Sequence, residues 1–190
     1  MLIKLQNIAK LQSGLYSKPD IAADTLYLQA NHFNNSGQVD ALLKPQIKIT
    51  GKNEKHLLQD EDVLFVAKGT KNYGVVYKKD IGRSVASSSF IVIRIQETYK
   101  NQVLPEYLAW YLTNTPYFRE YHQRQLGTTI PSISIKKLNE LEIDLPTMDK
   151  QKRIVEISKL REREKVLVHK MDDLRDREIK QLLLKTLNNK

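Results

Sequence analysis

The last third of the chain constrains its fold most. From Thr147 to Lys190 there is neither glycine nor proline, so the segment after Leu145-Pro146 predicts one continuous helix. About 40 helical residues span about 60 Å, far beyond the three to four turns usual in globular proteins. Ile157, Leu160, Leu167, Met171 and Leu174 recur at steps of 3, 7, 4 and 3, the stripe of a coiled coil, interrupted by Glu164. Ile179, Leu182, Leu183 and Leu187 continue it, displaced by about one residue. That displacement marks either a change of partner or a fraying end. A helix this long cannot bury its stripe against the preceding 146 residues alone. It calls for a second long helix on another chain. The expected organisation is a globular domain over 1–146 and a helical dimerisation and spacer arm over 147–190, with Ile157, Leu160, Leu167, Met171 and Leu174 as the dimerisation stripe.

The fold class expected is α+β: mixed strands and helices, then a long C-terminal helix forming an intermolecular coiled coil. Residues 2–10 suit a strand or a helical turn. Thr25–Gln29, Ile47–Thr50, Val63–Ala67, Gly74–Tyr77 and Ser89–Ile95 read as strands, the third buried because its apolar run is unbroken. Leu104–Leu112 reads as a helix with Pro105 in its first turn and Leu104, Leu108, Tyr111 and Leu112 on its apolar face. Asn114-Thr115-Pro116 stops it. Tyr117–Leu126 reads as a second helix ended by Gly127. Pro131–Ile135 reads as a short extended piece, Lys136–Glu140 as one helical turn and Leu141–Leu145 as a strand.

The balance of chemistry points to binding rather than catalysis. Hydrophobic residues make up 41% of the chain, enough for a packed core. There is no cysteine, which excludes disulfides and thiolate metal sites. No run approaches the roughly 20 apolar residues that cross a bilayer, and the opening six residues are too short and polar for a secretory signal; the expected location is cytoplasmic, away from membranes. His32, His56, His122 and His169 have no ligand-like spacing, so neither a metal nor a cofactor is expected. Asp60-Glu61-Asp62 suits a turn before a strand. Asn114-Thr-Pro-Tyr117 resembles the Asn-Pro-Pro-Tyr motif of amino-methyltransferases, but Thr stands second and no glycine-rich cofactor loop precedes it. Gly69–Gly74 has the outer spacing of a phosphate loop, but Val75-Val76 replaces the required Lys and Ser/Thr.

A net charge of +9 favours a polyanionic partner, nucleic acid first. Between Val63 and Arg94 the cations are Lys68, Lys71, Lys78, Lys79, Arg83 and Arg94, against one acid, Asp80. On the arm the signs interleave, as on a solvated helix face.

Several segments, in order, resemble one family. Asp62-Val-Leu-Phe-Val-Ala-Lys-Gly69 is similar to the strand–loop signature of target-recognition domains in type I restriction–modification specificity subunits. Leu5–Gly14 resembles the family's start, Ser87–Arg94 its central strand, Pro105–Leu112 its helix, and Gly127–Leu138 with Leu141–Pro146 its closing segment. Gln151-Lys-Arg-Ile154 resembles the entry to its conserved helix. Family chains usually carry two recognition domains and two conserved helices; this chain has one of each and looks like a half subunit. The resemblance implies a non-catalytic subunit that reads one half of a bipartite site in double-stranded DNA and docks methyltransferase and restriction subunits. Two copies paired through the arm would suit a split palindrome. It also leaves open a truncated remnant, or a half that pairs with a different half.

The candidate base-reading residues are Lys68, Thr70, Lys71, Asn72 and Tyr73 in the loop after the buried strand, and Arg124, Gln125, Thr128 and Thr129 before Pro131. Arg83 is a further phosphate candidate. By resemblance alone, the other face of the arm, with Gln151 and Arg153, is the candidate methyltransferase dock. Rival readings are an isolated methyltransferase and a coiled-coil scaffold with incidental charge.

Overall fold

The computed structural model describes residues 1–34, 37–39, 42–69, 72–116 and 132–188. Contacts divide the chain into two units, Met1–Val155 and Glu156–Lys190. The first is a mixed α+β domain; a long C-terminal helix follows.

The centre of the first unit is a four-stranded antiparallel sheet in the order β2 (Ala9–Ser13), β7 (Phe90–Ile95), β4 (Val63–Val66), β5 (Gly74–Val76). Of its two inner strands, β4 is an unbroken apolar run and β7 is apolar but for Arg94. Side chains alternate across a strand, so each run feeds two cores. Val63, Phe65, Ile91, Ile93 and Ile95 join Leu108, Leu112, Leu138 and Ile143 on one face. Leu64, Val66, Phe90 and Val92 join Leu26, Leu28, Phe33 and Tyr77 on the other. Burial on both faces is why no polar residue interrupts Val63–Val66.

A second pairing, parallel, joins β3 (Leu26–Leu28) to β6 (Ser84–Ala86). It borders a third apolar cluster of Ile47, Ile49 and Val85, with Leu15, Tyr27 and Leu57 against it. Two corrections fall here. Ile47–Thr50 is not a strand: Ile47 makes a single bridge to Thr25. The alternation that suggested a strand is nonetheless a burial pattern, with Ile47 and Ile49 inward and Lys48 outward. Ser84–Ala86 is a strand that the sequence does not announce, because three small residues carry no recognisable period.

Residues 2–10 hold both of the things expected of them. β1 (Leu2–Lys4) pairs with β8 (Glu142–Asp144). One helical turn, α1 (Leu5–Ile8), buries Leu5 and Ile8, and β2 then enters the central sheet beside β7. Gly14 ends β2 against the backbone of Ala86 and Ser87, where any Cβ would collide with the Ser87 carbonyl oxygen.

Helix α2 (Pro105–Asn114) has Pro105 in its first turn. Its buried face keeps Leu108 and Leu112 of the expected one, with Tyr111 packed against the same core, and adds Tyr107 and Ala109. Tyr107, Leu108, Ala109 and Leu112 are buried, while Leu104 and Tyr111 are half-exposed. Gly74 allows β5 to approach this face: a Cβ there would lie 3.0 Å from the Ala109 Cα and carbonyl oxygen. Tyr107 turns inward because its hydroxyl donates to the Asp144 carbonyl at 2.6 Å. Burial, then the Asp144 and Tyr111 charges, push its pKa up to about 12. The expected helix at Tyr117–Leu126 lies outside the described residues. Helix α3 (Ile135–Glu140) is capped by Ser134, whose hydroxyl accepts from the Lys137 N–H.

Helix α4 (Met148–Asn188) is 41 residues long. Its first two turns belong to the first unit. There Gln151 is fully buried. Its Oε1 accepts from the Leu104 N–H at 2.9 Å, and its Nε2 donates to the carbonyls of Gln102 (2.7 Å) and Pro146 (2.9 Å). Leu104 is the N-cap position of α2 and supplies no side-chain cap, so Gln151 satisfies a backbone donor there. This corrects the docking expectation for Gln151: a side chain with no exposed surface and its amide committed to three bonds cannot meet a partner. In the second unit Ile157, Leu160, Leu167, Met171 and Leu174 are 50–67% exposed.

Candidate nucleic-acid interface

The loop after β4 starts from a fixed root. The Ala67 carbonyl accepts from the Ile133 N–H at 2.9 Å, and Lys68 bridges Ser132. The segment that ends the second candidate loop is thereby paired with the start of the first. Lys68 itself is exposed. Thr70, Lys71, Arg124, Gln125, Thr128 and Thr129 lie outside the described residues.

Asn72 and Tyr73 turn back into the domain. The Asn72 amide donates to the Val66 carbonyl at 2.8 Å, and the Tyr73 hydroxyl to the Ala30 carbonyl at 2.8 Å. Burial raises the Tyr73 pKa, which keeps the phenol protonated. These two side chains hold the return of the loop, and the groups that would read a base edge are engaged within the fold.

The positive stretch between Val63 and Arg94 is partly neutralised by acids remote in sequence. Arg94 grips the buried Asp62 through two bonds, Nε to Oδ1 at 2.8 Å and Nη2 to Oδ2 at 2.6 Å. These bonds raise the Arg94 pKa against the opposing effect of burial. Asp62 also accepts from the Gln59 N–H at 2.8 Å, so the acidic triplet forms the turn its sequence suggests. Lys78 pairs with Glu106 at 3.0 Å. Arg83 stands before β6, not on the β4 loop, and pairs with Asp24 at 3.4 Å. The Asp24 pKa is lowered chiefly by the bond from the Thr25 hydroxyl. Lys68 and Lys79 remain exposed.

The catalytic decoys resolve as structure. The Asn114 amide donates to the Trp110 carbonyl of its own helix at 2.8 Å. His32 Nδ1 accepts from the Gln29 N–H at 3.2 Å, closing a capping box. Among the described residues no group of acids and histidines could hold a metal ion, and no helix is long and apolar enough to cross a membrane.

Comparison with known proteins sets this geometry in context. The family described as type I restriction modification DNA specificity domain matches residues 3–164. The chain belongs to that family. Specificity subunits of type I restriction–modification systems are non-catalytic members of their complexes. Among solved structures, a chain from work titled as the structural basis of complex assembly and conformational transition of the type I R-M system aligns with TM-score 0.67 and 16% identity, covering 96% of this chain and 43% of that one. The HsdS subunit from Thermoanaerobacter tengcongensis aligns with TM-score 0.57 and 16% identity, covering 86% and 37%. The type I specificity subunit from M. genitalium gives TM-score 0.51 and 15% identity, covering 84% and 38%. This specificity-domain chain thus spans about two fifths of the length of the solved chains it matches. No curated protein matches it.

Proposed function

We propose that the chain is a sequence-reading subunit of a type I restriction–modification assembly. Each copy reads one half of a bipartite site in double-stranded DNA. Two copies pair through α4, and the pair carries methyltransferase and restriction subunits that perform the chemistry. The observation that carries this reading is the family match over residues 3–164, which takes in the α+β domain and the first half-stripe of α4. The exposed stripe of Ile157, Leu160, Leu167, Met171 and Leu174 supports pairing: apolar side chains left at this spacing on a long helix suit a second copy of the same helix. Lys68, Thr70 and Lys71 after β4, and Arg124, Gln125, Thr128 and Thr129 before Pro131, are the residues that reach base edges in a groove. Asn72 and Tyr73 bond back into the domain. Arg83 contributes phosphate contact from the β3–β6 side.

Selection from a random duplex library with the purified chain tests this. The expected product is a motif occurring twice, in inverted orientation across a spacer, with affinity falling steeply as salt rises. Absence of duplex binding at low ionic strength would refute the reading.

A further inference from the structure

Ion pairing removes part of the positive stretch around β4 to β7, yet the domain has a second cationic line whose members make no ion pair among the described residues. Its centre is the segment from 42 to 56, with Lys44, Lys48, Lys52 and Lys55 against one acid, Glu54. Its geometry is set by the third apolar cluster. Ile47 and Ile49 point into that cluster, so Lys48 between them points to solvent. The chain then turns at Gly51 (φ +55°) into a 3₁₀ helix, Gly51–His56. In such a helix residues three apart eclipse one another, so Lys52 and Lys55 share one face while Glu54 lies on another. The Gln12 amide donates to the Lys55 carbonyl at 3.2 Å, tying this helix to β2. Gln12 and Lys10 share a face of β2, which adds Lys10 to the line. At the other end Asp24, beside Ile47 through its backbone N–H, is already occupied by Arg83 and Thr25. It therefore leaves Lys48 unneutralised.

We infer that Lys10, Lys48, Lys52 and Lys55 form a phosphate-binding ridge for duplex DNA, separate from the loops that read bases. The inference rests on the DNA-reading function proposed above and names a second part of the contact surface. Four exposed ammonium groups on a framework of one strand, one buried segment and one short helix act as point charges. They position a phosphate backbone without reporting its sequence. Among the described residues their ammonium groups enter no ion pair, and the buried side chains of the segment from 42 to 56 are Ile47 and Ile49, on either side of Lys48. Their replacement therefore leaves the core intact.

The test is the salt dependence of binding of the full chain to its selected duplex. The variant carries Lys48→Gln, Lys52→Gln and Lys55→Gln; a charge-matched control carries Lys159→Gln, Lys170→Gln and Lys180→Gln on α4. The expected result is a log–log salt slope shallower by about 2–3 for the ridge variant. Its rank order of DNA sites stays unchanged, as do its thermal midpoint and the slope of the control. An unchanged slope in the ridge variant overturns the ridge and leaves the proposed function standing. An equal loss of slope in the control shows a net-charge effect and overturns it too. A changed site preference shows base reading and also overturns it. If the unaltered chain binds no duplex, the proposed function falls and the ridge with it.

Discussion

Single residues decide how closely the elements of the domain approach. Gly14 is one such residue, because the backbone of Ala86 and Ser87 occupies the space a side chain would need. Gly14→Ala forces β2 away from that turn and is expected to cost about 1–3 kcal/mol, the range for overpacking a filled site, measured by urea denaturation. No loss would mean that the turn yields freely. Tyr107 is another. Its phenol stays protonated in the folded chain up to about pH 12, whereas an unfolded tyrosine ionises near pH 10. The folded state holds the extra proton across that interval. Its contribution is therefore complete below about pH 10 and drains away as pH climbs toward 12. Tyr107→Phe is expected to lose about 1 kcal/mol at neutral pH with the bond to Asp144. Its stability should then decline less steeply across the alkaline range, followed by circular dichroism. A parallel decline in both proteins would assign the alkaline loss to other groups. Neither role can be read from the sequence, since each depends on a neighbour 37 or more positions away.

Elements were legible where one local signal dominates. The run Val63–Val66 had nothing but apolar side chains to offer, the run Phe90–Ile95 only Arg94 besides, and both are central strands. Helix α4 was legible from the lack of any breaker after Pro146. β6 was not, because Ser84–Ala86 owes its extended form to β3 beside it. Ile47–Thr50 had the right alternation but lacked a neighbour to pair with beyond Thr25. For α4 the proposed use of its stripe is pairing. Each leucine buried there would contribute about 1.5–3 kcal/mol relative to exposure, set against the cost of association. Leu167→Asp with Leu174→Asp is expected to give a monomeric mass by light scattering, with the spectrum of the α+β domain intact. A dimer that persists would place the contact elsewhere.

At the scale of the whole molecule, the sequence carries the family more legibly than it carries the counterions of its charges. A charge of +9 and the ordered family segments both pointed to DNA. The cations picked out between Val63 and Arg94 were another matter. Arg94 and Lys78 find their counterions at Asp62 and Glu106, pairings that only the folded chain brings together. Linear charge counting treats each lysine and arginine alike; the exposure of Lys48, Lys52 and Lys55 follows from two buried isoleucines and a 3₁₀ turn that only the fold displays. The pairing of β1 with β8 has a consequence for folding. Leu2–Lys4 find their partners, Glu142–Asp144, at the opposite end of the domain's sequence. Contacts this remote in sequence make for slow, late closure. The lobe therefore has its seam where the two strands most distant along the chain meet, and that seam is the last to shut.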